Sequence, residues 1–291
     1  PTKPFSDQKP GTSGLRKKTK QFMSGLYLHN FVQATFNALS DCGTDVSSGS
    51  LLLGGDGRYY NDEAIQIIVK IAAANGVRRI VIGQDGLLST PAVSAIIREK
   101  GPIWQKPFGA FILTASHNPG GPDEDFGIKY NCENGGPAPE SLTNAIYLIT
   151  KTISNVSMCE KFPTIDISKI GTTSISRDGE DKTGSATGAS VVVDVISNTA
   201  EHINLLKSIF DFDAIKHLIS RTDFDFAYDC MHGVQGPYAN EIFVTEFGMP
   251  STCLLNAIPS EDFNGHHADP NLTYARDICD VMRVDKEGIA L

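Results

Sequence analysis

The chain has 291 residues, of which 41% are hydrophobic and 20% charged, and its formal net charge is −9. This length suggests two domains with enough mass for a real core, and the composition is typical of folded globular proteins. The acidic balance argues against a broad nucleic-acid surface, which needs a basic face. No apolar run approaches the ~20 residues that a membrane span needs, and the first residues lack the pattern of a secretory signal.

The six cysteines are too sparse for a disulfide scaffold, and none of them forms a C-x-x-C pair. A structural zinc site is therefore not expected. Free thiols fit a reducing compartment. We expect a cytoplasmic protein without a membrane span.

The first half of the chain alternates between apolar runs of strand length and stretches with helical spacing. Residues 51–53 form an apolar strand that ends in glycines, and Asn61 or Asp62 is a natural N-cap for the helix after it. Thr90–Pro91 opens a further helix that Gly101 closes. The other predicted elements are helices over 28–39 and 63–74 and strands over 79–83 and 111–113. This alternation predicts an α/β fold, with mixed, mostly parallel sheets flanked by helices.

The second half is less regular. Residues 141–153 favour a helix, whereas 159–188 are rich in Gly, Ser, Thr and Asp, which indicates an exposed loop or insertion. A second α/β unit is predicted to start at the apolar run 191–193. Its predicted elements are helices over 200–210, 214–219 and 237–247 and strands over 225–229 and 251–256. We therefore divide the chain into a first domain, residues 1–190, and a second domain, residues 191–291.

Ser116 is the most informative residue, because it lies where an apolar strand gives way to the turn sequence Asn-Pro-Gly-Gly. Ligands of open α/β sheets gather beyond the carboxyl ends of the strands. A serine hydroxyl needs activation, and neither G-x-S-x-G nor a Ser-His-acid set surrounds it, which disfavours a hydrolase. Phosphoryl transfer instead needs positioned cations and a group that moves a proton. Lys129, His117 and Arg16 supply such groups, and the planar arginine fork suits phosphate oxygens.

Six segments together resemble the α-D-phosphohexomutases, and most fully the phosphoglucomutase branch with its parafusin-like members. The strongest is T-A-S-H-N-P-G-G, which resembles the family's phosphoserine loop. The segments occur in the family's order and extend along most of the chain. They are Lys9–Arg16, Gly54–Tyr60, Thr114–Gly121, Phe126–Asn131, Met231–Tyr238 and Glu261–Tyr274.

The resemblance implies the N-terminal half of a four-domain enzyme, that is, two consecutive phosphohexomutase-type domains. The implied activity is the reversible interconversion of glucose 1-phosphate and glucose 6-phosphate, with a phosphoserine at Ser116 and glucose 1,6-bisphosphate as intermediate. The implied catalytic residues are Ser116, His117 and Lys129, with Lys129 as the acid/base. The implied substrate-binding residues are Thr12, Ser13, Arg16, Ser116 and Lys129. For Thr12 and Ser13, a role as turn formers is the alternative.

The resemblance also implies Mg²⁺, bound through the phosphate on Ser116 and three aspartates of a D-G-D-G-D-R loop. That loop is absent from the sequence and is expected beyond Leu291, so the second domain is incomplete. The pairs Asp211/Asp213 and Asp223/Asp225 lack the glycines and the arginine, and we interpret them as structural. We expect these 291 residues alone to have negligible mutase turnover.

Several alternatives stay open. The substrate is a phosphosugar, and a phosphomannomutase or phosphoglucosamine mutase is possible within the same class. A hypothesis from another functional class is that the chain is a non-catalytic phosphorylated scaffold of the same family, related to membrane fusion or adhesion.

Three further features have either a functional or a structural interpretation. Asp56 and Arg58 form either an ion pair that shapes the site or a structural turn with a surface arginine. His232 is interpreted as structural. The doublet His266–His267 lacks further ligands at zinc spacing, so loop packing or a hydrogen-bonded role is favoured over a zinc site.

Overall fold

The computed structural model describes residues 1–11, 13–99, 106–177 and 190–282. The first elements in chain order are β1 (Leu15–Lys18), α1 (Thr19–Phe22), α2 (Tyr27–Asp41), β2 (Ser50–Gly55), α3 (Asn61–Ala74), β3 (Arg79–Leu87), α4 (Thr90–Glu99), β4 (Pro107–Leu113), β5 (Asp125–Cys132) and α5 (Glu140–Thr150). The later ones are β6 (Gly171–Ser176), β7 (Ser190–Ile196), α6 (Ala200–Ile209), α7 (Phe212–Ile219), β8 (Tyr228–Asp229), α8 (Gln235–Ala239), β9 (Leu254–Leu255) and α9 (Arg276–Val281). Within these described ranges, no helix combines the length and the hydropathy needed to cross a bilayer.

Strands β1 to β7 form one sheet in the order β1-β5-β4-β2-β3-β7-β6. The central pairs β4–β2, β2–β3 and β3–β7 are parallel, whereas β5 and β6 run antiparallel to their neighbours. Leu53 is in register with Ile82 on one side and with Phe111 on the other. The predicted mixed, mostly parallel α/β fold is therefore confirmed.

The core follows from the alternation of side chains along the central strands. Leu51 and Leu53 pack on one face, in a cluster with buried residues of α2, α3 and α5. Leu52 points to the other face and packs with Ile112 and with buried residues of α4. Both faces of the sheet are covered by helices, as parallel sheets require. The result is a three-layer arrangement in which the carboxyl ends of β2 and β4 are free to carry functional loops.

Two expectations about the middle of the chain are wrong. The run that we expected to open the second unit is β7, which pairs with β3 inside the first sheet. Part of the predicted loop over 159–188 is also a strand, because β6 pairs antiparallel with β7. A strand's apolar character predicts that it exists but not which sheet it joins. We keep the division into two domains as a proposal, with the boundary moved beyond Ile196.

The second half contains a small parallel sheet of β8 and β9. The predicted strand over 225–229 is reduced to Tyr228–Asp229, and the strand predicted over 251–256 begins with a 3₁₀ turn at Ser251–Cys253. The predicted helix over 237–247 starts at Gln235 and passes into π-helical geometry over Asn240–Glu246. The predicted end of α4 at Gly101 lies outside the described residues.

Gly14 sets the close approach of β1 to β5. Its φ is +91°, and an added Cβ would lie 2.5 Å from the carbonyl oxygen of Ile128 and 2.6 Å from the Cβ of Lys129. Gly14→Ala is therefore expected to lower the free energy of unfolding by more than the roughly 1 kcal/mol of a strained φ alone. Urea denaturation measures the loss. Gly76→Ala is the control, because its φ is +96° with open space around it; equal losses would contradict the steric argument.

Candidate functional site

Ser116 lies on an exposed loop directly after β4. Its φ is +60°, a left-handed conformation that is uncommon for residues other than glycine. The amide of Ser116 donates to Oγ1 of Thr114 at 2.9 Å, which holds the turn. Its hydroxyl oxygen lies 3.4 Å from Nδ1 of His117, which is exposed as well. The turn thus presents the hydroxyl to solvent at the carboxyl end of the sheet.

A buried arginine supports this loop from below. Arg58 is 1% exposed, and Nε lies 3.0 and 3.1 Å from the two carboxylate oxygens of Asp56. The remaining guanidinium nitrogens donate to the carbonyl oxygens of Ser116 at 2.9 Å and Asp125 at 2.8 Å. Asp56 also accepts a 2.5 Å bond from the hydroxyl of Thr114. The interpretation of Arg58 as a surface side chain is therefore wrong, and the ion pair holds both ends of the loop.

Lys129 and Arg16 lie on one face of the sheet beside the loop. Lys129 on β5 is in register with Ile112 of β4, and Arg16 on β1 is in register with Gly127. The ammonium of Lys129 donates to the hydroxyl of Thr90, at the start of α4, at 3.0 Å. Nε of Arg16 is buried and has no hydrogen-bond partner among the described residues. Strand β5, the neighbour of β4, and strand β1 beyond it thus place a lysine and an arginine on the same face of the sheet.

The pKa of Lys129 is lowered from its ordinary value, first by burial and then by the positive charge of Arg16, whereas Asp56 opposes the shift. Burial disfavours the ammonium form, because the charge loses its hydration. At a given pH, the neutral amine is therefore more populated than in an exposed lysine. This property suits a group that must accept and return a proton.

The lowered pKa of Lys129 predicts a pH dependence of stability. Between the folded pKa and the ordinary value of 10.5, the unfolded chain binds more protons, so this lysine makes stability rise with pH. Lys129→Met is expected to remove that rise, so the difference in unfolding free energy, wild type minus variant, should increase from pH 7 to pH 10. Urea titrations measure it, with the exposed Lys161→Met as control. A difference that stays constant with pH would contradict the argument.

The other predicted ligand-binding residues lie near β1. Ser13 is exposed in the turn that precedes this strand, where Gly11 and Gly14 exchange backbone hydrogen bonds of 3.0 and 3.1 Å. Thr12 lies outside the described residues. The substrate-binding roles of these two residues stay predictions.

Two histidines of the second half, His232 and His267, contact neighbouring groups. Nδ1 of His232 lies 3.1 Å from the carbonyl oxygen of Ile258. The ring of His267 stacks on Tyr274 with ring centroids 4.2 Å apart. Of the paired aspartates, Asp211 caps α7 by accepting from the amide of Ala214 at 2.9 Å. These contacts agree with the structural interpretation of all three residues.

Comparison with known families gives one match by family model. Residues 7–157 match the α/β/α domain I of the phosphoglucomutase/phosphomannomutase family. Among curated proteins, the chain is 57% identical over 286 residues to a probable cytoplasmic phosphoglucomutase of Arabidopsis thaliana, covering 98% of this chain and 47% of the relative. It is 56% identical to the cytoplasmic phosphoglucomutase of Solanum tuberosum, with 98% and 47% coverage. The chain thus spans about half the length of the curated relatives it matches.

Solved structures give the same picture. The open form of parafusin from Paramecium, described as an exocytosis-sensitive phosphoprotein and phosphoglucomutase, has a TM-score of 0.89 and 43% identity. The match covers 99% of this chain and 50% of parafusin. A phosphomannomutase-like protein of Thermus thermophilus has a TM-score of 0.66 at 20% identity, with 94% and 51% coverage, and supports the fold alone.

Proposed function

The chain belongs to the phosphoglucomutase/phosphomannomutase family, and from this premise we propose that it is the phosphoserine-bearing half of a cytoplasmic phosphoglucomutase. The whole enzyme would interconvert glucose 1-phosphate and glucose 6-phosphate through glucose 1,6-bisphosphate. The curated relatives are named as cytoplasmic phosphoglucomutases. The observation that carries the proposal is the exposed, left-handed Ser116 next to a sheet face that bears Lys129 and Arg16.

The proposed chemistry is a balanced exchange of one phosphoryl group. The bond between phosphorus and Oγ of Ser116 breaks, and a bond between phosphorus and a sugar hydroxyl oxygen forms. The proton of that hydroxyl passes to Lys129, whose burial favours the neutral amine. The serine oxygen takes a proton from His117 as it leaves, since Nδ1 of that ring lies 3.4 Å from it, and the reverse transfer returns this proton. The second transfer reverses these steps with the other phosphoryl group of the bisphosphate.

Positive charge must stabilise the phosphoryl group in transit, because its three equatorial oxygens carry the developing charge. The buried and unpaired Nε of Arg16 supports a role in binding phosphate oxygens. Ser13 would contribute its hydroxyl group from the adjacent turn, and we keep Thr12 as a predicted substrate-binding residue.

Family membership implies a metal cofactor, and the described residues do not form a complete site for one. In the described ranges, no three His, Cys, Asp or Glu side chains lie close enough to share an ion. Asp56 is engaged by Arg58 and Thr114. We propose that Mg²⁺ takes one ligand from the phosphate of Ser116 and carboxylates from residues beyond Leu291.

The test uses the intact polypeptide, that is, the whole enzyme of which this chain is proposed to be one half. Its turnover is assayed with glucose 1-phosphate and mannose 1-phosphate, and the Ser116 peptide is analysed by mass spectrometry. We expect phosphorylation on that peptide and a preference for the glucose substrate of about 10-fold or more. The 291-residue portion alone is expected to show negligible turnover. Preference for mannose 1-phosphate would favour the phosphomannomutase alternative, and phosphorylation without turnover would favour the scaffold.

The scaffold alternative has one specific observation in its favour. Parafusin, which is 43% identical, is described both as an exocytosis-sensitive phosphoprotein and as a phosphoglucomutase. The two descriptions are compatible in that protein. The half-buried Lys129 beside Arg16 favours the enzyme for this chain, because a scaffold has no chemical need for a partly desolvated amine.

A further inference from the structure

Residues Ser260–Gly265, hereafter the clamp segment, contain an unusual buried phenylalanine. Phe263 is 1% exposed and has a φ of +52°, and Asn264 follows with a φ of +56°. A left-handed conformation is a true outlier for a bulky side chain and persists only where the surroundings hold it. The clamp segment is therefore kept in place by strong local contacts.

The second half of the chain supplies those contacts. Oδ1 of Asp262 accepts bonds from the hydroxyl of Ser260 at 2.7 Å and from the amide of Asn264 at 2.9 Å. The carbonyl oxygen of His232 accepts from the amide of Ser260 at 2.9 Å, and the ring lies 3.4 Å from the amide nitrogen of the Asn264 side chain. The turn that contains His232 thus anchors the clamp segment through these contacts.

The front of the clamp segment contacts the support of the serine loop. The ring centroid of Phe263 lies 5.2 Å from Cζ of Arg58, and the carbonyl oxygen of Glu261 accepts a 2.8 Å bond from the amide of Tyr59. A Cβ placed on Gly120 would lie 2.8 Å from that same oxygen and 3.0 Å from the ring. The ring therefore fills the space between the buried guanidinium and the far end of the loop.

We infer that Phe263 is a positioning residue for Ser116. Its ring covers the guanidinium of Arg58, which donates to the carbonyl oxygen of Ser116 at 2.9 Å. The ring also occupies the space next to Gly120, so the loop cannot move toward the clamp segment there. Cations on aromatic faces bind more strongly where water is excluded. A misplacement of about 1 Å at a reacting group lowers rates by about 100-fold. The inference rests on the proposed function, because it assigns the ring a part in phosphoryl transfer.

The test compares Phe263→Leu with Phe247→Leu in the intact polypeptide. Phe247 is a matched control, since it is 4% exposed and packs on Phe212 and Phe243 within the second half. Both variants lose an aromatic ring from a packed site, but only the first removes the contact with Arg58.

Two readouts separate positioning from general stability. Hydrogen exchange of the loop amides at Asn118, Glu124 and Asp125, which all donate to loop carbonyl groups, should be at least about 10-fold faster in Phe263→Leu. Its kcat should fall about 10- to 100-fold with KM changed by less than about threefold. Phe263→Tyr should keep the loop exchange rates and kcat near their wild-type values, because it retains the aromatic face. Phe247→Leu should change neither quantity.

Unchanged loop exchange and kcat in Phe263→Leu, or equal changes in the control variant, would overturn the inference. Absence of mutase turnover in the wild-type polypeptide would contradict the proposed function instead. The exchange comparison would then still decide whether Phe263 orders the loop.

Discussion

Alanine in place of Ser116 is expected to lower the turnover of the intact polypeptide by roughly 10⁴-fold or more, because the covalent carrier is lost and its neighbours act as one unit with it. Binding of the sugar phosphate should be weakened far less, since Arg16 and Lys129 remain. Mass spectrometry should detect no phosphoryl group on the corresponding peptide. Turnover by rapid mixing and quenching measures the effect.

The stability of this variant is expected to stay within about 0.5 kcal/mol of the wild type, as for other exposed positions. The Ser116 side chain is exposed, and its hydroxyl has only a 3.4 Å contact with His117. Ser208→Ala is a suitable control, because it removes another exposed hydroxyl from a helix on the far half of the chain. Undiminished isomerisation after removal of the Ser116 hydroxyl would contradict the proposed function.

Arg58→Met is expected to lower the free energy of unfolding by about 3–5 kcal/mol, the usual cost of removing one partner of a buried ion pair. The change leaves the carboxylate of Asp56 without its counter-charge and removes the donors that Arg58 supplies to the carbonyl oxygens of Ser116 and Asp125. Arg58→Lys should rescue little, because one ammonium cannot reproduce the planar fork that reaches the carboxylate of Asp56 and the carbonyl oxygens of Ser116, Asn118 and Asp125. Urea denaturation measures both variants.

Arg221→Ala is the matched control for this prediction. Arg221 pairs with Asp223, but its side chain is 50% exposed, and that of Arg58 is fully buried. An exposed pair contributes about 0–1 kcal/mol, so this variant should be nearly neutral. Comparable losses of unfolding free energy in the two arginine variants would show that burial does not increase the contribution of Arg58 to stability.

The central sheet could be predicted from the sequence because its signal is local. In β2 every residue is buried, and Leu51, Leu52 and Leu53 alternate between the two helix layers. An apolar run of that length bounded by glycines has few other solutions. The alternation of such runs with amphipathic stretches is enough to predict the fold class.

β6 could not be predicted in the same way. Four of its six residues are exposed, and its side chains are mostly Gly, Thr and Ser. Its stability comes from pairing with Val191, Val193 and Val195 of β7, which is a property of the partner strand and not of its own composition. The pairing of β7 with β3 is non-local as well, so the apolar run 191–193 alone does not predict which sheet it joins.

The site was only partly predictable for a related reason. Ser116 and Lys129 belong to sequence motifs, but nothing in the turn Gly-Asp-Gly-Arg distinguishes a buried arginine from an exposed one, and arginine is mostly exposed. The guanidinium of Arg58 is held by the carbonyl oxygens of Ser116, which follows β4, and Asp125, which begins β5, and both are far from it in sequence. Phe263 was unpredictable as well, because its contacts join distant parts of the chain.

The place of β7 in the first sheet determines where this polypeptide can be divided. The family match ends at residue 157, but a chain cut there would lack β6 and β7 and would leave the backbone of β3 unpaired along one side. Unpaired strand edges recruit other chains and promote aggregation. A first half that is to be produced and handled separately must therefore extend at least through Ile196.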